Sequence, residues 1–264
     1  MGRHRYLFLE EPPPVLGDTA AVSTVRLEIE YDGSGFRGWA RQPGLRTVQG
    51  ELEAALATIL REPIELTVAG RTDTGVHALG QVASFETAAE VPADLMRRLN
   101  GIGPDDVAVT AAEVVAEGFH ARHDAKARSY RYRLLARAAP SPFERGKALW
   151  WPHRVDREAL DACAAALPGT HDFTAFTPTQ NDHVRFERDV LAASWKDEGD
   201  ILSFRISADA FMRNMVRVLV GTQLEVASGR RSVENFVALL KGAPRTAAGG
   251  TAPPHGLYLE AVSY

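Results

Sequence analysis

Apolar and charged residues alternate through TVRLEIEY, residues 24–31, and a period of two marks a strand. Between Thr47 and Leu60 the period lengthens. Val48, Leu52, Ala55, Leu56 and Ile59 share one helical face, and Thr47 offers an N-cap oxygen. The runs IELTVAG (64–70) and QVASFET (81–87) read as two further strands. Pro92 opens a short helix, and DVAVTAAEVV (106–115) returns as a strand. The resulting order, β-α-β-β-α-β, is the ferredoxin-like arrangement.

The rest of the chain repeats that order. ARSYRYRLLA (127–136) is a strand. Asp156 to Leu167 is a helix with Leu160, Cys163, Ala164 and Leu167 turned inward. RDVLAASWKD and ILSFRISA form a hairpin across EGD (198–200). Phe211 to Ala227 is a long apolar helix, Ser232 to Leu240 another, and HGLYLEAVSY closes the chain as a strand. The two halves share no visible sequence identity, so the repeat is one of pattern alone. The expected fold is α+β: two ferredoxin-like βαββαβ halves related by a pseudo-twofold. The sheet is largely antiparallel with helices on one side, and a cleft lies between the halves. The join falls near Glu113 to Gly118, which gives halves of 23–115 and 116–264. Residues 1–22, with three successive prolines and no apolar core beyond Tyr6 to Leu9, read as a poorly ordered extension.

Composition narrows the class. The 264 residues are 45% apolar and 24% charged, as in a globular protein, and no apolar run approaches the ~20 residues of a membrane helix. The start of the chain lacks the pattern of a secretory signal, and one cysteine, Cys163, permits no internal disulfide. Cytoplasmic residence is expected. A net charge of −4 argues weakly against a nucleic-acid partner. Yet of 30 basic residues only four are lysines, and arginine is the better fork for phosphates and the better stacker on bases.

Four stretches offer chemistry. GSGFRG (33–38) follows a strand as a dinucleotide fingerprint would, but a true fingerprint opens straight into a helix; here WARQPG intervenes. HARHD (120–124) holds two imidazoles that would lie on opposite faces if the stretch continued a strand, and no further metal ligands are apparent. In AFMRNMVRVLVG (210–221), Arg213 and Arg217 stand one turn apart on an otherwise mostly apolar helix. Arg217 either snorkels to the surface or makes a partly buried ion pair, for which Asp73 is the obvious partner. Such a pairing would hold Asp73 ionised and aimed, as a nucleophile must be. In ARSYRYR (127–133), Tyr130 and Tyr132 share one strand face among arginines. That suits stacking on an unstacked base with phosphates clamped, or two ordinary core tyrosines.

AGRTDTGVHALGQV (69–82) resembles the catalytic motif of the TruA-type tRNA pseudouridine synthases. The resemblance runs from about Thr24 to Tyr264. EYDGSGFRGW, TVQGELE, GFHARHDAKARSYRY, HDFTAF, AFMRNMVRVLVG and RTAAGGTAPPHGLYL match further blocks of that family in order. It implies that Asp73 is the catalytic aspartate and that Arg71 works beside the flipped nucleotide. It implies also that Tyr130 stacks on the target base and that Arg217 pairs with the catalytic carboxylate. The substrate it implies is the tRNA anticodon arm, at positions 38 to 40 in tRNA numbering. The enzyme would be a homodimer using neither metal nor cofactor, with no membrane partner. Two competing readings are a tRNA-binding module without catalysis and a nucleotide-dependent oxidoreductase resting on GSGFRG.

Overall fold

The structure is a computed structural model, and it describes residues 22–180 and 184–264; the expected extension lies almost wholly outside those residues. The first half contains β1 (Ser23–Tyr31), α1 (Val48–Leu60), β2 (Thr67–Val68), β3 (His77–Thr87), α2 (Leu95–Ile102) and β4 (Val107–Val115). The second contains β5 (Ala127–Leu135), β6 (Leu149–Trp150), α3 (Arg157–Ala165), β7 (Gly169–Asp172), β8 (Glu187–Glu198), β9 (Ile201–Ala208), α4 (Met215–Ala227), α5 (Val233–Leu239) and β10 (Leu257–Ser263).

All the strands among the described residues belong to one ten-stranded sheet, ordered β4-β1-β3-β10-β5-β9-β8-β7, with β2 on β3 and β6 on β5. Within the first half the order is β4-β1-β3-β2, and within the second β10-β5-β9-β8. Each is therefore the fourth, first, third and second strand of its own βαββαβ unit, all antiparallel inside the unit. The α+β expectation is met, and the repeated pattern is a repeated strand order. The halves meet where β10 lies parallel to β3, through Tyr258 beside His77 and Leu259 beside Ala78.

The cap anticipated at Thr47 forms, and two more form at the expected helix starts Asp156 and Ser232. The side chains of Thr47, Asp156 and Ser232 accept from the backbone N–H three residues on, at the starts of α1, α3 and α5. Val25, Leu27 and Ile29 of β1 share a core with Leu52 and Leu56 of α1 and Leu95 and Leu99 of α2. The other face of β1 carries Arg26 and Glu28 instead, paired to each other. Leu160, Cys163, Ala164 and Leu167 are buried, as the periodicity requires.

Several boundaries differ, for local reasons. The expected strand 64–70 shrinks to Thr67–Val68, because the Leu66 N–H is taken by the Glu53 carboxylate of α1 and the Gly70 carbonyl by the Gln81 side chain. The second helix begins at Leu95 rather than Pro92, since Pro92 instead closes a turn with the Leu95 N–H. The fourth begins at Met215 rather than Phe211, because Asn214 adopts the left-handed conformation, φ 61°. Arg213 thus lies ahead of the helix and does not share a face with Arg217. HARHD is a turn and no strand. Its His120 Nδ1 accepts from the N–H groups of Arg122 and His123, and the two imidazoles meet edge to face at 4.1 Å instead of lying on opposite faces. Two short strands, β6 and β7, carried no signal of their own.

Candidate active site

The loop from Gly70 to Val76, between β2 and β3, is fixed from three sides. Behind it lies a buried polar set: the Tyr31 hydroxyl bonds the Thr72 hydroxyl at 2.7 Å, and Gln81 Nε2 donates to the Gly70 carbonyl at 2.8 Å. All three side chains are buried, and buried polar groups persist only when satisfied. Burial pushes the Tyr31 phenol up to about 12, against the hydrogen bonds of Thr72 and Gln81, so it stays neutral. On a second side the Trp39 N–H donates to the Thr72 carbonyl. There Gly33 approaches Val76 so closely that a Cβ would stand 2.0 Å from the Val76 oxygen. Gly33 and Gly38 of GSGFRG therefore serve backbone approach to this loop, and no α-helix follows them until Val48.

The third side comes from the second half of the chain. Residues 248–254 lie against α4, where Gly221 faces Gly250 with no room for a Cβ, which would fall 1.9 Å from the Gly250 oxygen. Thr222 Oγ1 receives the Gly249 N–H at 3.0 Å, and the Tyr132 hydroxyl donates to the Pro253 carbonyl at 2.9 Å. This seat presents the Ala252 carbonyl to Arg217.

Arg217 and Asp73 meet at that junction. Arg217 Nη1 lies 3.3 Å from Asp73 Oδ2, with the arginine side chain 15% exposed and the aspartate 34%. Of the two readings of Arg217, the ion pair is the one found. It is single-pronged, because Nε donates to the Ala252 carbonyl at 2.8 Å and Nη1 also reaches Asn214 Oδ1 at 3.0 Å. Among the described residues the other oxygen, Asp73 Oδ1, carries no hydrogen bond. One oxygen is thus anchored and one is open.

Tyr130 lies close by. Its hydroxyl is 3.8 Å from where a Cβ on Gly70 would sit, and its ring meets Phe211 edge to face at 5.0 Å. Burial first, then the nearby Tyr31 and the Asp73 carboxylate, hold its phenol well above the ordinary range. Tyr132 is a core residue. The arginines around the two tyrosines are all engaged. Arg128 donates to the carbonyls of Ala69, Arg122, Ala125 and Asp209; Arg131 faces Glu260; Arg133 pairs with Glu144. These arginines hold neighbouring segments together. Arg71 is exposed and makes no ion pair among the described residues. Residue patterns missed Tyr31, Thr72, Gln81, Asn214 and Arg128. The one available signal was Gln81, a lone amide at the head of an apolar strand. No group of three or more His, Cys, Asp or Glu side chains suited to a metal occurs among the described residues.

A single carboxylate, half held by a guanidinium and half open, set where two ferredoxin-like units join, fits an enzyme that works through one acid. The chain belongs to the tRNA pseudouridine synthase family, whose sequence profile matches residues 28–124 and 163–264; it is an isomerase that converts uridine to pseudouridine in tRNA. Its relatives include tRNA pseudouridine synthase A of Bacillus pumilus strain SAFR-032, 41% identical over 91% of this chain and 98% of that one. The enzyme of the same name from Bacillus subtilis strain 168 is 40% identical over 91% and 98%. That of Gloeobacter violaceus is 42% identical over 92% and 81%. A chain from the crystal structure of a Cbf5-Nop10-Gar1 complex matches at 12% identity and a TM-score of 0.29, over 88% of this chain and 56% of that one, too distant to argue from.

Proposed function

We propose that the protein isomerises uridines at positions 38 to 40 of the tRNA anticodon arm, with Asp73 as nucleophile. It acts as a cytoplasmic homodimer, without metal or cofactor, and its halves 23–115 and 116–264 form the two walls of the site. The observation that carries this reading is the Asp73 carboxylate: one oxygen 3.3 Å from Arg217 and the residue one-third exposed at the junction of the halves.

The reaction breaks the N1–C1′ bond of uridine and forms a C5–C1′ bond; N1 gains a proton and C5 loses one. The target base leaves the stack at a cost of about a few kcal/mol. Arg71, exposed two residues before Asp73, braces the vacated space, and Tyr130 stacks on the extruded base. Asp73 then attacks either the base ring or C1′ of the ribose. In both cases a carboxylate meets an electrophilic centre, as in retaining glycosidases. Arg217 keeps that carboxylate aimed. The site must exclude water, because hydrolysis would release free uracil.

The test is an unmodified tRNA transcript incubated with wild type and with Asp73→Asn, followed by mapping of pseudouridine. Wild type places pseudouridine in the anticodon arm. The variant binds tRNA with similar affinity and loses turnover by a factor on the order of 10⁴ or more, as when a nucleophile is removed. Near-normal turnover of the variant would refute the assignment of Asp73, and modification confined to another arm would refute the assigned positions.

A further inference from the structure

Asn214 sits between two demands. It is the third residue of a turn closed by the Met215 N–H on the Met212 carbonyl, and its φ 61°, ψ −2° match the third position of a type II turn. Glycine meets that backbone demand best, and asparagine is the usual second choice. Asn214 also stands at the N-cap of α4, where its side chain makes no cap bond. At the starts of α1, α3 and α5 the corresponding side chains do cap, from extended backbone. The Asn214 amide is turned instead onto Arg217, its oxygen 3.0 Å from Nη1, the same nitrogen that reaches Asp73.

A backbone requirement explains a glycine or an asparagine here; it does not explain where the amide points. A left-handed non-glycine residue at a functional site is the kind of departure from which a role is inferred. The acceptors on Arg217 also divide the work. The Ala252 carbonyl holds Nε, and the Asn214 oxygen holds Nη1, so the guanidinium plane is set by two neutral oxygens before Asp73 is counted. Neutral acceptors fix the plane without neutralising the cation, which leaves its charge for the one carboxylate. A carboxylate in place of Asn214 would compete for that charge.

We propose that Asn214 is a positioning residue: by orienting Arg217 it sets the attack geometry of Asp73. The proposal rests on Asp73 being the nucleophile. Asn214→Gly separates the roles, since glycine suits the left-handed turn and removes only the amide. The expected result is a kcat at least about tenfold lower, a KM for tRNA within about threefold of wild type, and a melting temperature close to wild type, relief of the left-handed backbone offsetting the lost amide bond. Activity and stability then part company, which a merely structural residue would not produce. Asn214→Asp keeps the shape and adds charge; its kcat falls and the acid limb of its pH profile moves to higher pH. Unchanged kcat in Asn214→Gly, a kcat loss matched by a lowered melting temperature, or an Asn214→Asp profile with an unmoved acid limb would each overturn the proposal. Asp73→Asn is measured alongside. If it is inactive while Asn214→Gly is normal, only the role of Asn214 falls; if it is active, the nucleophile assignment falls instead.

Discussion

At the scale of the residue, the site depends on Arg217 having acceptors beyond its ion pair. An arginine among Val216, Val218, Leu219 and Val220 is tolerable because its nitrogens reach Ala252, Asn214 and Asp73. Arg217→Ala strands those acceptors and removes the packed stem of the side chain. Asp73 stays one-third open to water, which screens the loss relative to a fully buried pair. Urea unfolding of Arg217→Ala should therefore show a loss of about 1–3 kcal/mol, with pseudouridine formation falling below detection. A variant as stable and as active as wild type would show that the pair carries neither load. Arg217 was conspicuous in the sequence as a charge in an apolar helix. Tyr31 and Thr72 were not, because a tyrosine ending a strand and a threonine in a loop are ordinary in isolation; only the lone amide of Gln81 gave a hint. Their common role exists only once β1, β3 and the 70–76 loop are brought together.

At the scale of the element, α4 and the segment lying on it behave as one unit. Gly221 stands mid-helix, where glycine is a poor choice, and the reason is the Gly250 carbonyl against it. Gly221→Ala should push residues 248–254 off the helix and withdraw the Ala252 carbonyl from Arg217. Thermal unfolding should show a loss of about 2 kcal/mol or more, with activity lost in parallel. Gly101, exposed in α2 with nothing within 4 Å of its missing Cβ, is the matching control. Gly101→Ala should stabilise by about 0.5–1 kcal/mol and leave activity alone. That residues 248–254 seat on Gly221 did not show in the sequence, since Gly221 and Gly250 stand 29 positions apart.

At the scale of the whole molecule, His77 marks the seam. It is buried in β3 and stacked on Tyr258 of β10 at 4.6 Å. Its Nδ1 accepts the Gly33 N–H, and Nε2 reaches the carbonyls of Gly146 and His255. With Nδ1 accepting, Nε2 carries the proton and the imidazole is neutral, so Asp32 at 3.1 Å is a neighbour and makes no ion pair with it. Burial pulls its pKa below the ordinary 6.5, assisted by Lys147 and opposed by Asp32 and the two carbonyls. A histidine depressed by folding binds its proton more readily when unfolded. Its contribution to stability is complete above pH 6.5 and is lost as pH falls below that value. Denaturant midpoints measured from pH 8 to pH 5 should decline on the acid side in wild type and decline less in His77→Gln. An equal decline in both would place the acid sensitivity elsewhere. No helix among the described residues is long and apolar enough to cross a membrane.

What the sequence determined alone was periodicity and punctuation. Alternation and 3.6-residue spacing gave the two βαββαβ units, and Thr47, Asp156 and Ser232 announced three helix starts. These are local effects, carried by neighbours within one or two turns of chain. The motif blocks brought Asp73, Arg71, Tyr130 and Arg217 into view as candidates. Only the tertiary structure decided which arginines remain available, why β2 is two residues long, and why α4 starts four residues late. The first two follow from polar groups satisfied by partners outside their own element, Leu66 by Glu53, Gly70 by Gln81 and Arg128 by four carbonyls; the third follows from the left-handed turn at Asn214. Such partners are chosen by the folded geometry, because a buried donor or acceptor must be satisfied by whatever the fold sets beside it.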